Sequence, residues 1–166
     1  MNFGSMLMPV EGKSCRIGAG SYVLRPAGTI GIKLAREIDE SASARVDLYD
    51  MSAPEDPLTD WQLRGALLLA LYSLSRGRGV YVGCMGGYGR TGLFLACLVK
   101  CLGVDDPVGY VRAHYHGRAV ETDEQLDYVA EFDPGLLRLA VAGARARAGW
   151  GQNKSENPYI AGGYIR

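Results

Sequence analysis

A nucleophile, a glycine-rich turn and a fixed positive charge occur together in residues 80–96, VYVGCMGGYGRTGLFLA. Cys84 opens the turn, Arg90 closes it, and three of the five residues between them are glycine. Glycine allows the backbone N–H groups of a turn to point inwards without obstruction. The helix predicted to begin near Arg90 directs its positive end at the same point, and the Arg90 guanidinium can bind two oxygens of one anion. The pattern predicts an oxyanion-binding loop between a buried strand and a helix.

Cys84 makes this loop a candidate for catalysis as well as for binding. Inward N–H groups, a helix N-terminus and a nearby guanidinium all favour the thiolate, which is the nucleophilic form of cysteine. We therefore expect Cys84 to attack phosphorus and form a cysteinyl-phosphate intermediate. Thr91 is expected to donate a hydrogen bond to the sulfur, to cap the following helix, or both. The residues expected to contact the phosphate are Met85, Gly86, Gly87, Tyr88, Gly89 and Arg90.

The segment GCMGGYGRTG resembles the active-site loop of the cysteine-dependent protein tyrosine phosphatase superfamily, which includes the dual-specificity phosphatases. The resemblance is strongest over residues 80–98 and extends over about residues 44–132. It implies a phosphomonoester hydrolase that needs no metal and no other cofactor. One departure stands out, because the family usually has a histidine immediately before the cysteine and this chain has Gly83.

The resemblance also implies a general acid on a loop that precedes the cysteine in sequence. Asp50 and Asp56 lie in the proline-bounded acidic loop 50–57, at 34 and 28 residues before Cys84. Asp50 is the better match because it directly follows a predicted strand, and Asp56 is the alternative. Capping of a turn or helix is the structural explanation for either residue, and we expect one of the two to have that role.

A glutamine in the segment AVETDEQ (residues 119–125) resembles the family's water-orienting glutamine. In that interpretation Gln125 positions the water that hydrolyses the phosphocysteine. In the alternative, Gln125 is the third helical residue of a capping box that Thr122 opens. His116 and Arg118 precede this segment and are expected either at the pocket rim or in purely structural contacts.

The uncharged loop positions favour phosphotyrosine, phosphoserine/threonine or another monoester, and disfavour inositol lipids, whose phosphatases in this superfamily tend to carry lysines there. The expected partner is thus a phosphorylated protein or a small phosphomonoester. A phosphate-binding module of the same fold, with little or no turnover, is the alternative function.

Composition limits the remaining possibilities. The chain has 166 residues, 48% of them hydrophobic and 22% charged, with a formal net charge of zero. A zero net charge gives no support to a nucleic-acid or membrane-surface partner. Four cysteines without paired spacing favour reduced thiols in the cytoplasm. We expect one phosphatase-like domain over residues 1–148 and a flexible tail over residues 149–166.

Hydrophobic periodicity and capping signals predict alternating strands and helices, and therefore an α/β fold with a central, mostly parallel or mixed sheet flanked by helices, of the compact dual-specificity type. The site is expected at the carboxyl end of a central strand. Residues 1–14 are predicted as loop, 15–24 and 44–49 as strands, 31–40 as a weak helix, and 59–75, 90–102, 107–115, 122–132 and 134–148 as helices.

Overall fold

The computed structural model describes residues 4–10 and 12–152, with side chains through residue 143. The strands are β1 (Ser5–Val10), β2 (Lys13–Ser21), β3 (Ile30–Lys33), β4 (Ala44–Arg45) and β5 (Val80–Cys84). The helices are α1 (Pro57–Ser75), α2 (Gly89–Cys101), α3 (Pro107–His114), α4 (Asp123–Glu131) and α5 (Gly135–Gln152). The predicted class, an α/β fold with a mixed sheet flanked by helices, is confirmed.

The five strands form one sheet in the order β1-β2-β5-β3-β4. β1 is antiparallel to β2, and every other neighbouring pair is parallel. β5 lies at the centre of the sheet and all five of its residues are buried. The segment that follows Cys84 therefore leaves the carboxyl end of the central strand, which is where open α/β sheets hold their ligands.

Helix α2 lies at the centre of the helical packing. Twelve of its residues are buried, and it packs against β5 and all four of the other helices. A helix that is apolar on every side fits such a position. Cys97 and Cys101 belong to this core, and burial raises the pKa of both thiols, that of Cys101 to about 11. Neither thiol is therefore poised as a nucleophile.

Two predictions near the N-terminus are wrong. Residues 5–10 form an edge strand rather than a loop, in which Met6, Met8 and Val10 alternate inwards. Methionine has a weak strand preference and Pro9 interrupts the pattern, although an edge strand tolerates proline. Residues 31–40 form β3 and a loop rather than a helix. Their apolar spacing reflects burial of strand and loop residues, not a helical face.

The bounds of other elements also differ from expectation. Only Ala44–Arg45 of the predicted strand 44–49 is regular. Helix α1 begins at Pro57, not at residue 59, because Asp56 caps it and proline is well suited to a first helical position. Helix α5 continues to Gln152, so the first four residues of the predicted tail are helical, and the rest of that tail, 153–166, lies outside the described residues.

Close backbone packing explains why glycine stands before Cys84. Gly83 pairs with Gly20 of β2. A Cβ atom at position 83 would lie 2.6 Å from the Gly20 carbonyl oxygen and 2.8 Å from the backbone N and Cα of Tyr22. There is no room for the histidine that the family usually has at this position.

We predict that Gly83→Ala lowers the free energy of unfolding by about 1–3 kcal/mol, because the neighbouring backbone must move apart. Denaturant unfolding measures the change. Gly79→Ala is the matched control on the same segment. Its Cβ would meet only the Thr29 methyl group, at 3.5 Å, so a change within about 0.5 kcal/mol is expected. Equal stability of Gly83→Ala and wild type would contradict the steric explanation.

Candidate active site

The sulfur of Cys84 lies inside the turn and accepts two hydrogen bonds. Gly87 N donates to it at 3.2 Å and the Thr91 hydroxyl at 3.1 Å. The same hydroxyl accepts a 3.0 Å bond from Cys84 N, so Thr91 ties the end of β5 to the start of α2. Of the two roles expected for Thr91, the hydrogen bond to the sulfur is present. Thr91 does not cap α2, because the N-cap residue is Tyr88, whose side chain makes no capping bond. Both donors favour negative charge on the sulfur.

Close packing surrounds two of the three loop glycines, by backbone at Gly87 and by side-chain ends at Gly89. Gly87 has a φ of 84°, which disfavours other residues, and a Cβ there would lie 2.8–3.0 Å from the backbone of Gly20 and Ser21. A Cβ on Gly89 would lie 2.8 Å from a carboxylate oxygen of Glu121 and 3.1 Å from the Gln125 amide. Gly87 O also accepts a 2.5 Å bond from the hydroxyl of Tyr115 on the α3 side. These contacts hold the turn from three directions.

The guanidinium of Arg90 is almost completely buried, with 2% of the side chain exposed. Its two terminal nitrogens donate to the two carboxylate oxygens of Glu37, at 2.6 and 2.9 Å. They also donate to Leu48 O at 3.2 Å and to Asp50 Oδ1 at 3.0 Å. Two acidic side chains thus fix the terminal nitrogens of the one buried arginine of the described residues.

Glu37 is a residue that sequence reasoning missed, because its segment was predicted as a helix without a role. The hydrogen bond from Arg90 holds the Glu37 pKa below its ordinary value of 4.5. Its loop is anchored by Lys33, a buried lysine at the end of β3, whose ammonium donates to the carbonyls of Ile38 and Glu40. The sequence signal that could have pointed to Glu37 was weak: the lysine Lys33 at the end of a strand, with a glutamate four residues later.

Asp50 lies beside Arg90, on a loop that is hydrogen-bonded to residues at the start of helix α4. The side chain of Asp50 is 79% exposed. The Thr122 hydroxyl donates to Met51 O and the Gln125 amide donates to Ser52 O, each at 3.1 Å. Met51 has a φ of 60°, an unusual conformation for a residue other than glycine, and these bonds help to maintain it.

Gln125 is fully buried and its side chain is engaged at both ends. Besides donating to Ser52 O, it accepts a 2.9 Å bond from Glu121 N. Its own backbone N donates to the Thr122 hydroxyl, so the N-cap part of the predicted capping box is present, but the returning bond goes to residue 121 and not to 122. The amide therefore joins the acidic loop to the segment beside Gly89.

Asp56 is accounted for by helix capping. Its carboxylate accepts bonds from Leu58 N at 2.9 Å, Thr59 N at 3.0 Å and the Thr59 hydroxyl at 2.6 Å. The bond from Thr59 lowers the Asp56 pKa. Of the two aspartates proposed from the sequence, Asp56 has the capping role and Asp50 is the one next to Arg90.

The outer side of the turn is formed by Met85, which is 50% exposed, by exposed Gly86 and by partly buried Tyr88. His116 packs on the Tyr88 ring at a centroid distance of 4.5 Å, and the Arg118 guanidinium lies 5.2 Å from the centre of the same ring. Arg118 also pairs with Glu121 at 3.1 Å. Both basic residues are thus at the rim, in structural contacts with the loop.

An open depression of about 480 Å³ adjoins Met85. Val23 and Ile38 supply its apolar lining, and Glu37, Asp39 and Glu40 place three carboxylates on its wall. The surroundings of the turn on this side are therefore acidic.

No group of three or more His, Cys, Asp and Glu side chains within the described residues is arranged to hold a metal ion. No described helix combines the length and apolarity needed to cross a bilayer.

Solved structures of phosphatases share this fold. Kinase associated phosphatase (KAP), solved with its catalytic-site cysteine changed to serine, matches at a TM-score of 0.59 and 16% identity, over 80% of this chain and 94% of KAP. Tk-PTP in the active form matches at 0.53 and 23% identity, over 63% of this chain and 78% of Tk-PTP. PTPMT1 matches at a TM-score of 0.53 and 14% identity, over 79% of this chain and 94% of PTPMT1. A further PTPMT1 structure is a complex with PI(5)P. The resemblance to protein tyrosine and dual-specificity phosphatases is confirmed as a shared fold.

Sequence comparison gives partial matches. Two uncharacterized proteins of Methanocaldococcus jannaschii, MJECL20 and MJ0215, are 49% and 44% identical over 61 residues, which is 37% of this chain. The matched stretch spans only about two fifths of each relative, 42% and 38%. No family model matches the chain.

We predict that Glu37→Gln destabilises the fold at pH 7, because it leaves the buried Arg90 with one carboxylate. A loss on the order of 1–2 kcal/mol is expected, a modest value because Glu37 is partly exposed. Since Arg90 lowers the Glu37 pKa, the ion pair contributes its full stability above the unfolded-state pKa and loses it as the pH falls through the folded-state pKa.

The measurement is the difference in unfolding free energy between wild type and Glu37→Gln from pH 7 to below 4.5, by denaturant titration. The difference should shrink as the pH falls. Asp39→Asn, on the same acidic wall, is the matched control and should change stability little at any of these pH values. A Glu37→Gln deficit that is independent of pH would contradict the ion-pair explanation.

Proposed function

We propose that this protein is a phosphomonoester hydrolase of the protein-tyrosine/dual-specificity phosphatase type, with Cys84 as its nucleophile. The single observation behind this proposal is that the Cys84 sulfur accepts hydrogen bonds from Gly87 N and the Thr91 hydroxyl inside a turn that the buried Arg90 closes. Such a turn offers a tetrahedral anion N–H donors and a positive charge in the same loop as the nucleophile. The fold shared with known phosphatases supports the same reaction class.

The proposed reaction has two steps. The Cys84 thiolate attacks phosphorus, an S–P bond forms, and the P–O bond to the leaving group breaks while Asp50 protonates the departing oxygen. Water then attacks the phosphocysteine, the S–P bond breaks, Asp50 accepts the proton of the water, and phosphate leaves. The Thr91 hydroxyl stabilises the sulfur as it becomes the leaving group. Gln125, buried between the Asp50 loop and Gly89, is proposed to orient the water.

Phosphate binding must compete with an existing contact. Asp50 occupies one terminal nitrogen of Arg90 at 3.0 Å, and its side chain is 79% exposed and therefore free to swing away. Glu37 accepts hydrogen bonds from both terminal nitrogens of Arg90, and its side chain is less exposed than that of Asp50, at 37%. We propose that the phosphate dianion displaces Asp50 but not Glu37, which moves the acid from Arg90 towards the leaving group.

The charges around the turn favour a substrate with one phosphate and little additional negative charge. Met85, Gly86 and Tyr88 are uncharged, and the adjoining depression carries Glu37, Asp39 and Glu40. We propose phosphotyrosine or phosphoserine/threonine in a protein, or a small monoester, as substrate. The PI(5)P complex of PTPMT1 shows that an inositol lipid fits a protein of this fold, but here the acidic wall would repel the second phosphate group of such a lipid, its phosphodiester. A reactive thiolate needs reducing conditions, so we propose a cytoplasmic location.

A phosphate- or phosphopeptide-binding module with little turnover is the second candidate. The observation that favours it is the engagement of both Arg90 terminal nitrogens by carboxylates. In such a module Asp50 would remain on Arg90 and no acid would reach the leaving group. Turnover separates the two candidates.

We predict hydrolysis of p-nitrophenyl phosphate without added metal. Cys84→Ser should reduce kcat by about 10³-fold or more, because it removes the nucleophile. Arg90→Lys should reduce kcat/KM by about 10²–10³-fold, because an ammonium cannot replace the planar fork. Cys15→Ser, at a partly buried thiol on β2, is the control and should retain wild-type rates. Vanadate binding without any turnover would identify the binding module instead.

A further prediction distinguishes the two aspartates. Asp50→Asn should reduce kcat for phenyl phosphate by about 10²-fold or more, and for p-nitrophenyl phosphate much less, because nitrophenolate departs with little protonation. The same change should tighten vanadate binding, since a competing carboxylate is removed from Arg90.

Asp56→Ala is the comparison for that experiment. It should lower the Tm through loss of the helix cap, without the selective loss of phenyl phosphate hydrolysis. If Asp56→Ala produced the selective loss and Asp50→Asn did not, the assignment of the acid would be reversed.

A further inference from the structure

Helix α1 presents an uncharged stripe to solvent. Between residues 58 and 72 the exposed positions are Leu58, Trp61, Gly65, Leu68 and Tyr72. The four side chains are 65%, 75%, 37% and 44% exposed. Their spacing of three and four residues places them on one face of the helix. The outward face of a helix in a monomer ordinarily consists of charged and polar residues.

Within the described residues the stripe is contacted by the Arg76 guanidinium, 5.1 Å from the centre of the Tyr72 ring, and its side chains remain largely open to solvent. The opposite face of α1 already supplies the core, through Leu63, Leu67 and Leu74 among others. The two charged residues beside the stripe, Asp60 and Arg64, pair with each other at 2.8 Å. Arg64 also donates to Asp133 O at 2.9 Å, so both charges have partners within the chain. A contiguous exposed apolar surface of this kind marks an interaction site.

We propose that a second copy of this chain covers the stripe, with the two α1 helices antiparallel and crossing at Gly65. The stripe is nearly symmetric about this glycine, with Leu58 and Tyr72 each seven residues away and with Trp61 four residues before it and Leu68 three after it. In an antiparallel pair Leu58 therefore lies opposite Tyr72 of the second copy, and Trp61 lies opposite Leu68. A two-fold interface requires such self-complementarity. No atom lies within 4 Å of a Cβ placed on Gly65, so the two backbones can approach closely there.

Charges at the two ends of the helix fit the same arrangement. Glu55 is exposed just before α1, and Arg76 is exposed just after it. In the antiparallel pair each Arg76 lies near Glu55 of the second copy. A parallel pair would bring like charges together at both ends. The antiparallel direction also opposes the two helix dipoles.

The available area is close to what a dimer needs. Helix α5 packs against α1, and Arg64 bonds to Asp133 O just before α5 begins, so the proposed interface also includes Leu136 and Leu139 of α5, which are 75% and 69% exposed. With the four stripe side chains these present on the order of 600–700 Å² of surface, against about 800 Å² per partner in a standard interface.

Sedimentation equilibrium of the full chain tests the proposal, and a concentration-dependent dimer is expected. Trp61→Glu and Leu68→Glu should each weaken dimerisation by roughly thirtyfold or more, because each places a charge in both halves of an apolar interface. Leu7→Glu is the matched control. Leu7 is a 46% exposed leucine on β1, and its substitution should leave the dimer unchanged. A full-length chain that is monomeric at several hundred micromolar overturns the proposal, whether its C-terminal residues or another protein cover the stripe.

Gly65→Gln separates the interface from an effect on folding. Glutamine is a better helix former than glycine and has open space at this position, so the variant should fold at least as stably as wild type at concentrations where both are monomers. Its longer side chain should nevertheless keep the two helices apart and weaken the dimer at least tenfold. Unchanged dimerisation of a stable Gly65→Gln variant overturns the crossing at this residue.

The charges at the ends provide a test of direction. Glu55→Lys and Arg76→Glu should each weaken the dimer, and the double variant should restore it, because the exchanged charges face each other again. Additive weakening in the double variant overturns the antiparallel arrangement.

Discussion

Burial of the positive charge of Arg90, at the end of the Cys84–Arg90 turn, determines much of the surrounding structure. Arg90 is 2% exposed, and a buried guanidinium is tolerated only when charged partners satisfy it. The partners of Arg90 are Glu37, on the loop after β3, and Leu48 O and Asp50, on the loop before α1. Two connections on either side of β4, whose contacting residues precede Arg90 by 53, 42 and 40 positions, are thereby drawn to the same point. The ion pairs fix the position of the Arg90 guanidinium relative to these two loops.

Close approach between backbones is the second constraint, and it explains why Gly83 stands where the phosphatases that the loop resembles usually have a histidine. β2 passes so near to β5 and to the turn that neither Gly83 nor Gly87 has space for a Cβ. The residue before the cysteine therefore cannot assist the sulfur. In this chain that assistance comes from Gly87 N and from Thr91, which contacts both the sulfur and the amide of Cys84.

The parts of the site that could be predicted from the sequence are those encoded in one contiguous segment. Strand, turn and helix around Cys84 follow from local patterns of glycine and apolar residues, and their order predicts the α/β class. Glu37 could not be predicted, because its role depends on a contact with Arg90 across 53 positions. The start of α1 differs from the predicted residue 59 for a local reason: Thr59 followed by Gln62 fits the capping-box pattern, but Asp56 before Pro57 fits a helix start better. Gln125 was identified as important from the resemblance, although its bonds to Ser52 O and Glu121 N depend on the tertiary packing.

The position of α2 has a consequence for the dynamics of the protein. The turn is continuous with β5, the innermost strand, and with a helix whose residues are nearly all buried. Segments of this kind open only when the whole molecule unfolds, whereas loops at the surface open locally. Amide hydrogens of β5 and α2 should accordingly be among the slowest in the protein to exchange with solvent, and those of loop 50–56 among the faster ones. The turn around the sulfur would then be the rigid part of the candidate site, and the loop that carries the exposed Asp50 the part that opens locally.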